Sequence, residues 1–126
     1  MPELDEAEVS AWLRQVAATH GKVVGDVNYV FVDDETMLSI NRQFLGHDYY
    51  TDHIGFDYTS GDALSGDIYI SLDTVASNAS LFGATFPEEL RRIIIHGLLH
   101  LCGLRDKTPE EQTLMREAEN RALARL

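Results

Sequence analysis

Apolar positions recur along this chain with two periods, one helical and one alternating. The densest helical pattern runs from Phe86 to Lys107. Leu90, Ile93, Ile94, Gly97, Leu98 and Leu101 form one apolar face, and Ile95, Leu99 and Cys102 form a second. A helix apolar on nearly every side is a buried one, so this stretch is predicted to be the central helix. Thr85 and Glu88 have capping-box spacing, Pro87 suits a first turn that lacks amide partners, and Gly103 suits a left-handed stop.

The other elements are read in the same way. Asp5 and Glu8 form a capping pattern ahead of a stripe of Val9, Trp12, Leu13 and Val16, which His20-Gly21 ends. Val23 to Val32 is rich in β-branched and aromatic residues and is predicted as a strand covered on both faces. Asp33-Asp34-Glu35 opens a helix whose Met37, Leu38, Ile40, Phe44 and Leu45 supply apolar contacts. Asn41 shares their side and needs a hydrogen-bond partner there. Gly46 to Tyr50 reads as a loop. Thr51 to Tyr58 follows as a strand, with Ile54, Phe56 and Tyr58 inward and His53, Gly55 and Asp57 on the other face. A glycine in that face permits a close approach to the backbone. After a surface connection from Thr59 to Gly66, Asp67 to Leu72 makes another strand. Asp73 is expected to cap a helix that turns Val75, Ala76, Ala79 and Phe82 inward and stops at Gly83. Thr108-Pro109-Glu110-Glu111 starts the last helix, packed through Leu114, Met115, Ala118, Ala122 and Leu123. The expected architecture is α+β, a single domain over residues 1–126, with a small mixed sheet, helices around it and the Phe86 helix buried at the centre.

Composition narrows the setting. No run approaches the roughly 18 apolar residues of a membrane span, and the acidic start lacks the basic head and apolar core of a signal peptide. The single cysteine excludes an internal disulfide and predicts no disulfide-linked partner, which suits a reducing cytoplasm. A net charge of −11 argues against non-specific nucleic-acid binding. It leaves room for a local basic groove, because Arg91, Arg92, Arg105 and Lys107 account for four of the ten Lys and Arg residues and bracket the central helix. The plain alternative is a solvated charged face.

The candidate chemistry lies on that helix. His96 and His100 sit one turn apart in the seam between the two apolar faces, so both can aim at one point. Asp106 follows the Gly103 turn and can fold back to the same point. Two imidazoles and a carboxylate predict a transition-metal site at His96, His100 and Asp106, zinc first. A buried histidine pair alone is often only hydrogen-bonded core. The spacing His-x-x-x-His-x-x-Gly-x-x-Asp adds weight, since in metzincins too the third ligand comes six residues after the second. Zincin peptidases carry Glu directly after the first histidine. Gly97 stands there, which disfavours that mechanism and leaves the base to another group or to water activated by the metal. Cys102 points to another side of the helix and is assigned to the core.

Asn41-Arg42, Thr51-Asp52, Gly66-Asp67-Ile68, the string from His96 to Gly103, Met115 and Glu119 together give a resemblance, running from Val32 to Leu123, to the YbeY-type family. These are bacterial metal-dependent endoribonucleases of ribosomal RNA maturation. The resemblance implies a single-strand-specific endoribonuclease in small-subunit rRNA processing and ribosome quality control, with ribosomal RNA and the small ribosomal subunit as partners. There are two departures. The family motif usually ends Asp-His, where this chain has Arg105-Asp106, so Asp106 is expected in place of a third histidine. The family also commonly has Arg at the position of Leu45, and Arg42 on the same helix surface is expected to substitute in offsetting transition-state charge. Asp67 is expected to orient a ligand or the sheet edge beside the site. Arg42, Arg91, Arg92, Arg105 and Lys107 are expected to surround an RNA groove leading to the metal. Two rival readings are a non-catalytic ribosome-assembly module with a structural metal and a small metallohydrolase with another substrate.

Overall fold

The computed structural model describes residues 5–46 and 52–126. Its elements in chain order are α1 (Glu6–Thr19), β1 (Val23–Val32), α2 (Asp34–Ile40), a π-helical turn (Asn41–Leu45), β2 (His53–Asp57), β3 (Ala63–Ser71), α3 (Leu72–Leu81), α4 (Phe86–Leu101) and α5 (Pro109–Leu123). The strands form one mixed sheet in the order β1-β3-β2, with β1 parallel and β2 antiparallel to β3. The α+β architecture and the central histidine helix are as the hydrophobic pattern predicts.

Strand alternation decides what faces what. Ile68 of β3 points at α4, where a Cβ added to Gly97 would lie 3.0 Å from the Ile68 side chain. Gly97 therefore lets helix and sheet meet closely, and Leu90, Ile94, Leu98 and Leu99 are buried in the same core. In the antiparallel register His53, Gly55 and Asp57 pair with Ile70, Ile68 and Gly66. Directly paired residues share a face, so these three look toward α4. Of the three residues the sequence expectation turned inward, Ile54 is buried, while Phe56 and Tyr58 do not join the core. Phe56 instead meets Phe44 and Tyr69 edge-on across the far face, and Tyr58 is exposed. β1, expected to be covered on both faces, is packed on one face only. Tyr29 and Phe31 turn to the core, while Val30 is exposed.

The helix ends follow their chemistry, with some differences from expectation. Asp5 accepts from the Glu8 amide and Asp33 from the Thr36 amide. Both halves of the Thr85/Glu88 and Thr108/Glu111 capping boxes form. Ser71, not Asp73, caps α3. Asp73 instead accepts from the Asp34 amide, and Asp34 in turn accepts from the Ser71 and Thr74 hydroxyls, so the starts of α2 and α3 hold each other. β3 begins at Ala63, several residues earlier than expected, because the Ser60–Ala63 bridge tightens the connection into a turn. Phe44, Phe82 and Leu114, expected to pack inward, are 62%, 69% and 61% exposed. The switch to π geometry after Ile40 changes the angular spacing that would have carried Phe44 inward. The expected loop over residues 47–50 and the start of its following strand at Thr51 lie outside the described residues.

Candidate metal centre

α4 carries His96 and His100 to the edge of the sheet. Their Nε2 atoms lie 3.0 Å apart, and Asp106 Oδ2 lies 3.3 Å from each. Donor atoms bound at about 2.0–2.2 Å to a tetrahedral ion stand roughly 3.3–3.6 Å from one another. The triangle is thus close to the size that a divalent transition ion requires. Gly103, with φ of 101°, provides the left-handed turn that brings Asp106 back over the helix end.

Behind the triangle, Glu119 Oε2 accepts from His96 Nδ1 at 2.6 Å, and Arg92 Nη1 donates to Glu119 Oε1 at 2.9 Å. Arg92 Nη2 also donates to Asn120 Oδ1. A proton fixed on Nδ1 leaves the Nε2 lone pair facing the other donors. Burial lowers the His96 pKa, but the hydrogen bond and charge of Glu119, with Asp106 and Asp52, outweigh it and hold the imidazole above its ordinary value. Burial and the neighbouring His96 charge lower the pKa of His100, which favours the neutral ligand form. Burial opposes ionisation of Glu119 as well, yet its bonds from His96 and Arg92 bring its pKa below the ordinary range.

The sequence reading missed His53. One ring nitrogen each of His53, His96 and His100 lies within 4.8 Å of the others, so the three imidazoles could hold a metal ion. The His53 ring meets His96 edge-on at 4.8 Å and stacks on His100 at 5.9 Å. Its signal was present, since it shares a strand face with Gly55. That glycine has open space beside its Cα on the side where a Cβ would stand. His53, Gly55, Asp57, Gly97 and His100 line a cleft of about 340 Å³. Glu119 was also legible, as it falls between Met115 and Ala122 on the buried stripe of α5.

The remaining candidates lie elsewhere. Asp67 sits on the sheet face turned away from α4, where its Oδ1 accepts from Asn28 Nδ2 at 3.1 Å; alternation that aims Ile68 at Gly97 sends Asp67 the other way. The π-helical turn bearing Arg42 packs through Phe44 on that far face. Arg91 and Arg92 line a separate groove with Arg116 and Phe82. Arg105 and Lys107 are exposed on either side of Asp106. None of these five basic residues lines the histidine cleft. Cys102 packs beside the core, and burial pushes its thiol up to about 11.

A family model described as Endoribonuclease YbeY matches residues 2–126. The chain belongs to the YbeY endoribonuclease family. Curated YbeY relatives include proteins named Endoribonuclease YbeY from Bacteroides thetaiotaomicron, 56% identical over 98% of this chain and 90% of the relative, and from Porphyromonas gingivalis, 48% identical over 100% and 83%. A solution structure of a Thermotoga maritima protein matches the fold with a TM-score of 0.68 and 28% identity, over 94% of this chain and 81% of that one. The donor triangle and the histidine cleft are thus features of a YbeY chain. Among the described residues no helix is long and apolar enough to cross a membrane.

Proposed function

We propose that this protein is a metal-dependent endoribonuclease that hydrolyses phosphodiester bonds in single-stranded segments of ribosomal RNA. It would act in the cytoplasm during maturation of the small ribosomal subunit. The observation that carries this reading is the donor triangle of His96, His100 and Asp106, with edges of 3.0, 3.3 and 3.3 Å, in a chain whose relatives are named endoribonucleases. His96, His100 and Asp106 would hold a divalent ion, zinc first for this donor set, which would supply Lewis acidity toward a phosphoryl oxygen and toward water. His96 presents Nε2 because Glu119 holds the proton of Nδ1. The side chains of His100 and Asp106 are 33% and 36% exposed, which leaves an approach for substrate and favours catalysis over an enclosed structural site. Gly55 leaves the cleft without a side chain at one position, room that an RNA backbone needs. We assign Arg105 and Lys107, which flank Asp106, to phosphate contacts. Family membership does not favour the rival readings of a binding module or a hydrolase of another substrate.

The test is cleavage of single-stranded ribosomal RNA by purified parent protein and His100→Ala, each with and without chelator, beside thermal melting. Cleavage should need the ion and be lost in the variant. Stability should fall by about 1–3 kcal/mol, as for an ordinary substitution in a chain with a core of its own. Unchanged cleavage in His100→Ala would remove the ion from the mechanism. Unfolding of the variant at ambient temperature would make the ion structural.

A further inference from the structure

We infer that His53 is a further ligand of the same ion, so that the site joins one imidazole from the sheet to the two on α4 and to Asp106. This rests on the metal site of the proposed function and extends it to a residue outside the His-x-x-x-His…Asp pattern. The first support is placement: β2 register turns His53 to the α4 side, and one of its ring nitrogens lies within 4.8 Å of a nitrogen on each of the helix imidazoles.

The second support is orientation. His53 Nδ1 lies 2.8 Å from Asp52 Oδ1. At that distance the carboxylate accepts a hydrogen bond from an Nδ1 that carries the proton. His53 Nε2 then carries the lone pair. This repeats the relation of Glu119 to His96, the outer carboxylate that fixes a ligand's tautomer and ring. Asp52 is itself held, because its carbonyl accepts from the Ser71 amide at 2.9 Å. Two of the three imidazoles thus have a carboxylate behind them.

The inference is tested by metal affinity, with no reliance on cleavage. Zn²⁺ dissociation constants are measured by competition with a chromophoric chelator for the parent, His53→Ala, His53→Gln, Asp52→Asn and His96→Ala. The visible spectrum of each Co²⁺-loaded form reads its coordination. Melting of the metal-free proteins checks folding, and His53→Gln serves if the alanine variant does not fold. Loss of an outer carboxylate costs roughly 10–100-fold in affinity. Asp52→Asn is expected in that range, and the His53 variants beyond it with a changed Co²⁺ spectrum. A His53 variant with parental affinity and spectrum, beside a His96→Ala that loses the ion, overturns the inference and leaves the proposed function standing. A parent protein that binds neither ion overturns both.

Discussion

At the scale of single residues, Glu119 shows how much of this site is set from behind. Its side chain is only 7% exposed, and it accepts from both His96 and Arg92. The price of burying a carboxylate is offset by those two charge-assisted bonds. Glu119→Gln keeps the shape but loses the charge that holds the His96 Nδ1 proton. Zn²⁺ affinity is expected to fall roughly 10–100-fold, with the metal-free melting temperature changed far less than by Glu119→Ala, which strands Arg92. Equal affinity of parent and Glu119→Gln in a chelator competition would show that His96 needs no such orientation.

At the scale of elements, the site depends on how closely α4 lies on β3. Gly97 sits mid-helix, where glycine costs about 1 kcal/mol relative to alanine. It is retained in this packing because a Cβ there would stand 3.0 Å from Ile68 Cδ1 and 3.1 Å from its Cγ2. Gly97→Ala is therefore expected to destabilise by about 1–3 kcal/mol, as overpacking does, in spite of the better helix propensity. Ile68→Val removes Cδ1 and should recover part of the loss. A urea-denaturation double-mutant cycle measures the coupling, and strictly additive single effects would mean that helix and strand do not press on each other at this point.

For the whole molecule, one core joins the sheet to α1, α4 and α5, and β1 is tied to it through Tyr29, whose hydroxyl donates to the Ile94 carbonyl at 2.8 Å. Burial, with the nearby Cys102, raises the Tyr29 pKa above its ordinary 10.0, and burial raises Cys102 from 9.0 to about 11. Both groups are neutral in the folded protein, and both titrate at lower pH once unfolded. Their contribution to stability is complete below pH 9.0 and is lost as pH rises from there through 10.0 and beyond. The urea midpoint should decline through this range, and Tyr29→Phe with Cys102→Ser should flatten the decline. A parental midpoint constant to about pH 11 would contradict this linkage.

The sequence by itself determined whatever depends on near neighbours. Helical periodicity marked α4 as buried. Capping boxes at Thr85 and Thr108 placed two helix starts, and the four-residue spacing of His96 and His100 put two imidazoles on one seam. Gly103 and Asp106 completed the donor triangle from within the same local stretch. Tertiary structure decided everything that required one strand to know its partner. A shift of face inverts a whole strand, and the register of β2 on β3 turned His53, Gly55 and Asp57 toward α4 while Phe56 and Asp67 went to the far side. The π turn after Ile40 left Phe44 exposed by the same kind of cause, a change of phase that residue types alone do not specify. His53 and Glu119 are separated from His96 along the chain, and only the packing of β2 and α5 on α4 brings their side chains to its two ring nitrogens' surroundings.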